Sequence, residues 1–272
     1  MSRNQDVTRW VPFQVFPAEM EKKNRKMDFS EKIPENTGAL QEFNAPPDKD
    51  GKPVPGPEKK EGIPILYYHS VTDNIFGIEE LSVAPAEFEK QMNYLKKNNY
   101  TVITFNELKN ADSMEKPIII TFDDGYEDNF TYAYPILKKF GFKATIFLCV
   151  SVIDKSQFLK SGQILQMKDL INIQSHTMTH DYLSKLTEEK IDTELGESKK
   201  ILEDLTGKEV DVLAYPYGDY DSRVIKIAKK YYKYAVVSGG GFYHRGDSAY
   251  EIKRIYVPRS LDLDGFKNKL QQ

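Results

Sequence analysis

The hexapeptide Pro117-Ile-Ile-Ile-Thr-Phe122 is almost wholly apolar and β-branched. It offers no polar face to water. It therefore reads as a strand buried on both sides, the situation of a parallel sheet covered by helices. The chain around it fits that frame. Further strands are expected at 63–68, 101–104, 144–150, 171–175, 210–215, 234–238 and 252–257. Between them lie helical patterns. Residues 87–97 carry Phe88, Met92 and Leu95 at helical spacing, and 135–140 opens with a proline and stops at Gly141. A long helix is expected over 187–205, stopped by Gly207, and others over 222–231 and 264–270. Strand–helix alternation over ~210 residues predicts one α/β domain with a largely parallel sheet. Periodicity does not separate a barrel from an open sheet.

The alternation starts only at Gly62. Residues 1–61 read as an extension, and the stretch from Asn44 to Glu58 is rich in Pro, Gly and charge, which is linker chemistry. Upstream, Trp10, Phe13, Val15 and Phe16 form a short apolar patch, read as part of a tether rather than a docked arm. The domain proper is expected over 62–272.

Composition excludes several classes. A net charge of −3 on 272 residues gives no pull toward nucleic acid. No window approaches the ~18–20 apolar residues of a membrane span. The first twenty residues lack an apolar core, so no signal peptide is expected within them. Cys149 is the single cysteine, which rules out an intramolecular disulfide, and its apolar strand makes it a core residue.

Chemistry concentrates at strand ends. In Ile118-Ile-Ile-Thr-Phe-Asp-Asp-Gly125 two adjacent carboxylates close a buried strand, the place where α/β folds put their sites. Adjacent carboxylates repel, so the pair implies a cation or a shared proton. A solvated Asp-Gly turn is the bland alternative. A haloacid-type phosphatase would need its second Asp at position 125, which is Gly. In Ser175-His-Thr-Met-Thr-His180 two histidines four residues apart share one face of a helix or a tight turn, a spacing suited to one metal. Asp124 adds an oxygen. Two His and one carboxylate leave positions open for water and substrate, and the set suits Zn²⁺ best, with Co²⁺, Ni²⁺ or Mn²⁺ as alternatives. A third strand end, Leu213-Ala-Tyr-Pro-Tyr-Gly-Asp219, leaves into a turn that fixes backbone direction.

These three motifs, in this order, resemble the NodB-homology polysaccharide deacetylases, carbohydrate esterase family four, over residues 62–270. The resemblance implies a deformed (β/α) barrel and removal of N-acetyl groups from N-acetylglucosamine polymers. It implies Asp123 as general base, Asp124, His176 and His180 as metal ligands, and the Tyr217 backbone amide as oxyanion donor. Tyr126, Tyr215, Pro216 and Tyr220 are the expected substrate-binding residues. Three departures stand out. The third motif usually opens with an Arg that pairs with the base, and here that position is Ala214. Arg254 is a candidate replacement. A fourth motif with a paired Asp and aromatic is not found. The late catalytic His is missing from Lys253-Arg-Ile-Tyr-Val-Pro258. Yet Pro64-Ile-Leu-Tyr-Tyr-His-Ser70 resembles a subgroup with that His moved to the domain's N-terminal end. That subgroup includes the poly-β-1,6-N-acetylglucosamine deacetylases, and His69 becomes the candidate acid. His244, in a polar Gly-rich loop, is read as a surface residue. The family also implies an extracellular or cell-surface location, and a monomer is expected. Peptidoglycan, an O-acetylated plant polysaccharide, or a non-catalytic sugar-binding role on the same scaffold remain as alternatives.

Overall fold

The computed structural model describes residues 62–271. The apolar patch at Trp10 to Phe16 and the linker to Glu58 lie outside the described residues.

Strand β1 (Ile63–Tyr68) is followed by two short strands, β2 (Ser70–Val71) and β3 (Ser82–Val83), which pair with each other. Helix α1 (Pro85–Lys97) opens on its proline and buries Phe88, Gln91, Met92 and Leu95. Then come β4 (Thr101–Ile103), β5 (Pro117–Phe122), α2 (Tyr134–Phe140) and β6 (Ala144–Leu148). Helix α3 (Ser161–Gln166) leads to β7 (Ile171–Ser175), and the long α4 (Glu188–Thr206) leads to β8 (Val212–Ala214). The series ends with α5 (Ser222–Tyr231), β9 (Tyr234–Val236), β10 (Phe242–Tyr243), β11 (Ile255–Tyr256) and α6 (Leu263–Lys269).

The sheet runs β10-β1-β5-β6-β7-β8-β9, all parallel except β10, with β4 also on β5 and β11 also on β1. It curls, and its two ends are tied by one stretch of chain. Ile252 bridges Val236 of β9, and three residues later β11 pairs Leu66 and Tyr67 of β1. The strand expected over 252–257 is thus split, because this stretch leaves one neighbour and joins another. A deformed barrel results.

Alternation along each strand fills both faces. Leu66, Tyr68, Ile118, Ile120, Phe122, Ile146 and Leu148 join the core shared with the helices. Ile65, Ile119, Phe147, Val212, Ala214 and Val236 form a separate cluster on the other face, inside the curl. This explains why Pro117–Phe122 carries no polar face. The helix caps are also as the residue types require. Gly141 and Gly207 end α2 and α4 in the left-handed conformation at φ 69° and 67°. Thr187 caps α4 by accepting the Lys190 amide.

Candidate active site

The site lies where β5, β7 and β8 end. Asp123 is the first residue past β5, and its backbone N–H donates to Tyr68 O at 3.0 Å. Asp124 then takes φ 70° and Gly125 φ 82°. A Cβ on Gly125 would stand 2.3 Å from Leu148 Cδ2, so only glycine makes this turn. The turn sends the two adjacent carboxylates to different partners.

Asp123 faces Arg254. The guanidinium donates from Nη1 to Oδ1 and from Nη2 to Oδ2, both at 2.7 Å. Arg254 is fully buried and Asp123 is 3% exposed. Arg254 also donates to Thr121 Oγ1 (3.1 Å) and Val237 O (3.3 Å), with its guanidinium 4.5 Å from the Tyr67 ring centroid. Burial pushes the Asp123 carboxyl up, but the Arg254 charge and hydrogen bonds outweigh it and hold the group below its ordinary value. The Arg missing at Ala214 is therefore supplied from the stretch that closes the barrel.

Asp124 faces the two histidines. Its Oδ1 lies 3.4 Å from His176 Nε2 and 3.2 Å from His180 Nε2, and the two Nε2 atoms are 3.1 Å apart. Ligands ~2.0–2.1 Å from a tetrahedral ion stand about 3.3 Å from one another, so this triangle has the size of one face of such a shell. His176 Nδ1 donates to Ala214 O at 2.8 Å, which leaves Nε2 as the lone-pair nitrogen. Burial pushes the Asp124 carboxyl up, and the two imidazoles beside it, His176 and His180, carry it the other way, well below the usual range. Donor type, spacing and the His176 tautomer fit a divalent cation; Asp124, His176 and His180 would hold it.

The histidines sit on a tight turn rather than a helix. Thr177 and His180 take φ 66° and 65°. Glu194, buried in the middle of α4, accepts the Met178 and Thr179 amides (2.9 Å each) and the Thr179 hydroxyl (2.7 Å). His180 N donates to Thr177 Oγ1 at 3.1 Å.

His69 follows β1 at the same rim. Its Nδ1 is buried without a hydrogen-bond partner among the described residues. Burial lowers its pKa, the Asp124 and Asp123 charges oppose that, and the net shift is downward. Asn129 donates to His69 O (2.8 Å), while Asp128 accepts the Ser70 hydroxyl (2.5 Å) and the Val71 amide (2.8 Å). The helical turn that follows β5, opening at Asp128 and Asn129, thus fixes the chain that carries His69.

The tyrosines singled out by the sequence divide. Tyr217, at φ 59° in the turn after β8, is 39% exposed, with its ring centroid 4.6 Å from that of His180. Tyr126 is buried and stacked on Phe158, and Tyr215 is buried and stacked on Tyr220. Pro216 is buried beside them. Tyr215 belongs to the main core, whereas Tyr126 packs in a small cluster with Cys149, Val152 and Phe158 and bonds Asp124, so both rings are covered. Tyr220 is half-buried, with its hydroxyl on Glu251 at 3.1 Å. His244 is exposed and Cys149 buried, as expected. Sequence reasoning missed Glu194, Asp128 and Asn129, whose partners are distant in the chain.

Comparison with known proteins agrees with this geometry. Residues 110–236 match the polysaccharide deacetylase family. A protein named for that activity, YxkH of Bacillus subtilis, is 34% identical over 216 residues, covering 77% of this chain and 76% of its own. The poly-β-1,6-N-acetyl-D-glucosamine N-deacetylase of Staphylococcus aureus is 28% identical over 184 residues, 61% of this chain and 62% of its own. Among solved structures, the polysaccharide deacetylase BC0361 of Bacillus cereus superposes with TM-score 0.74 at 34% identity, covering 82% of this chain and 74% of its own. The chain belongs to the polysaccharide deacetylase family, and it is a hydrolase of that class.

Proposed function

We propose that this protein is a metal-dependent N-deacetylase of N-acetylglucosamine polymers, with poly-β-1,6-N-acetylglucosamine as the favoured substrate and acetate as product. The observation that carries the reading is the separation of two adjacent carboxylates into two jobs. Asp124 turns to the histidines, and Asp123 turns to a buried arginine. A binding module needs no such base. Ala214 loses its weight as a sign of an inactive scaffold, since Arg254 pairs with Asp123 instead. The Staphylococcus relative's named substrate, together with the resemblance of Pro64 to Ser70 to the subgroup that carries its catalytic His here, supports the β-1,6 polymer over peptidoglycan or an O-acetyl ester.

An amide is a poor electrophile with a poor leaving group. A divalent cation held by Asp124, His176 and His180 would acidify its water and polarise the acetyl carbonyl; Zn²⁺ suits the set best. Asp123, kept ionised by Arg254, accepts the proton of the attacking water. The Tyr217 backbone amide is assigned to the oxyanion, where one such donor is worth ~3 kcal/mol. His69 in its charged form gives a proton to the departing sugar amine. We assign the protein to the cell surface or beyond, where such polymers are found, and take it as a monomer. Among the described residues no helix is long and apolar enough to cross a membrane.

The test is acetate release from β-1,6-linked N-acetylglucosamine oligomers. Release should stop on treatment with a chelator and return with Zn²⁺ or Co²⁺. Release that persists in metal-stripped protein would overturn the metal assignment, and no release from any N-acetylglucosamine oligomer would overturn the activity.

A further inference from the structure

A polymer must be gripped beyond the sugar that reacts, yet Tyr126 and Tyr215 are buried. The exposed aromatic surface beside the site lies elsewhere. Tyr182 is 36% exposed and Tyr217 39% exposed, and their rings stack 4.0 Å apart at an interplanar angle of 11°. Tyr217 also lies against His180, so the pair begins at the metal-ligand triad and leads away from it.

The two rings come from different loops, and those loops are clamped together. Tyr182 precedes a short turn at Leu183–Lys185, and Tyr217 lies in the turn Pro216–Gly218. Asp219 accepts both the amide (2.7 Å) and the hydroxyl (2.8 Å) of Ser184. Arg223 donates to Ser184 O (2.9 Å) and Leu186 O (3.2 Å) while paired with Asp221 at 2.7 Å. The stacking geometry is therefore fixed before any ligand arrives, which spares the ordering cost of binding. Two exposed rings held in parallel are not needed by the core, and a tyrosine, apolar in body and polar at its tip, suits a half-wet binding surface.

We infer that Tyr182, stacked on Tyr217, is a sugar-binding platform that takes the apolar C–H face of a pyranose neighbouring the one being deacetylated. It is a specificity-determining site for chain length, held in place by Asp219 and Arg223 as positioning residues. The inference rests on the deacetylase reading above. A pyranose is polar at its rim and apolar on its ring faces, and an aromatic ring gains dispersion and hydrophobic contact from such a face. The platform's position next to His180 puts that neighbour directly beside the reacting acetamide.

The experiment compares oligomers of two and five N-acetylglucosamine units on wild-type protein, Tyr182→Leu and Tyr182→Phe, with metal content and thermal unfolding recorded for each. Wild type should prefer the pentamer. Tyr182→Leu keeps apolar bulk but loses the ring face; its KM for the pentamer should rise about tenfold, with a smaller change in kcat and a smaller loss on the dimer. Tyr182→Phe should restore the pentamer KM, since stacking needs the ring and not the hydroxyl. An equal loss on both oligomers, or a Phe variant as poor as Leu, would overturn the platform and make Tyr182 structural. So would an unchanged pentamer KM in Tyr182→Leu. Absence of acetate release by wild type from either oligomer would instead overturn the deacetylase reading itself.

Discussion

A fully buried ion pair is held by the cost of breaking it. Arg254 and Asp123 have each left water and have each other, Thr121, one carbonyl and the faces of Tyr67 and Phe147 as compensation. Removing either partner leaves the other charge stranded. Arg254→Ala should therefore lower stability by ~3–5 kcal/mol, read from denaturant unfolding. Asp123→Asn strands the arginine instead and should also melt lower. The two neighbours then separate by function. Asp123→Asn should lose turnover and retain metal, whereas Asp124→Ala should lose metal. Equal metal loss in both variants, measured by elemental analysis, would show that the roles of base and ligand have been misassigned. The sequence shows that two carboxylates lie together. It does not show that the turn at Asp124 and Gly125 points them apart, because that depends on positive φ and on Leu148 pressing where a Cβ would be.

At the scale of elements, the histidine turn depends on a helix it does not belong to. Residues 176–180 follow β7, but their conformation is set by Glu194 in the middle of α4, which collects three hydrogen bonds. The strands and helices themselves were readable because burial on two faces and helical spacing leave direct marks on residue type. Glu194 was not readable, since a Glu on a charged amphipathic helix looks the same whether it meets water or two backbone amides. Its removal would leave those amides buried and unpaired and free the turn to relax. Glu194→Ala should weaken metal binding by about 10–100-fold, as outer groups that orient ligands typically do. Competition against a chelator of known affinity reads this directly. Unchanged affinity would show that the turn is held by its own Ser175 and Thr177 bonds alone.

At the scale of the whole molecule, the site exists because the sheet curls until its ends meet. Residues 252–257 cross from β9 to β1, and in doing so they deliver Arg254 to Asp123. The same closure brings β1, the first strand of the described domain, between β5 and β11, with His69 at its exit. Strand periodicity could not foretell this, because it is blind to which strands become neighbours; only the resemblance pointed to a barrel. A proton donor can therefore come from the start of the domain although Asp124, His176 and His180 lie in its middle. His69 has the credentials of that donor: it is held by Asn129, feels both Asp123 and Asp124, and keeps a ring nitrogen without a hydrogen-bond partner among the described residues. His69→Ala should lower kcat on N-acetylglucosamine oligomers by ~10²–10⁴, the usual worth of a positioned acid, with metal content unchanged. An aryl acetate carries a leaving group that departs without a proton, so its hydrolysis should fall far less. If the amide and the aryl ester lose activity equally, His69 is not the acid, and its place at the barrel rim is one of packing.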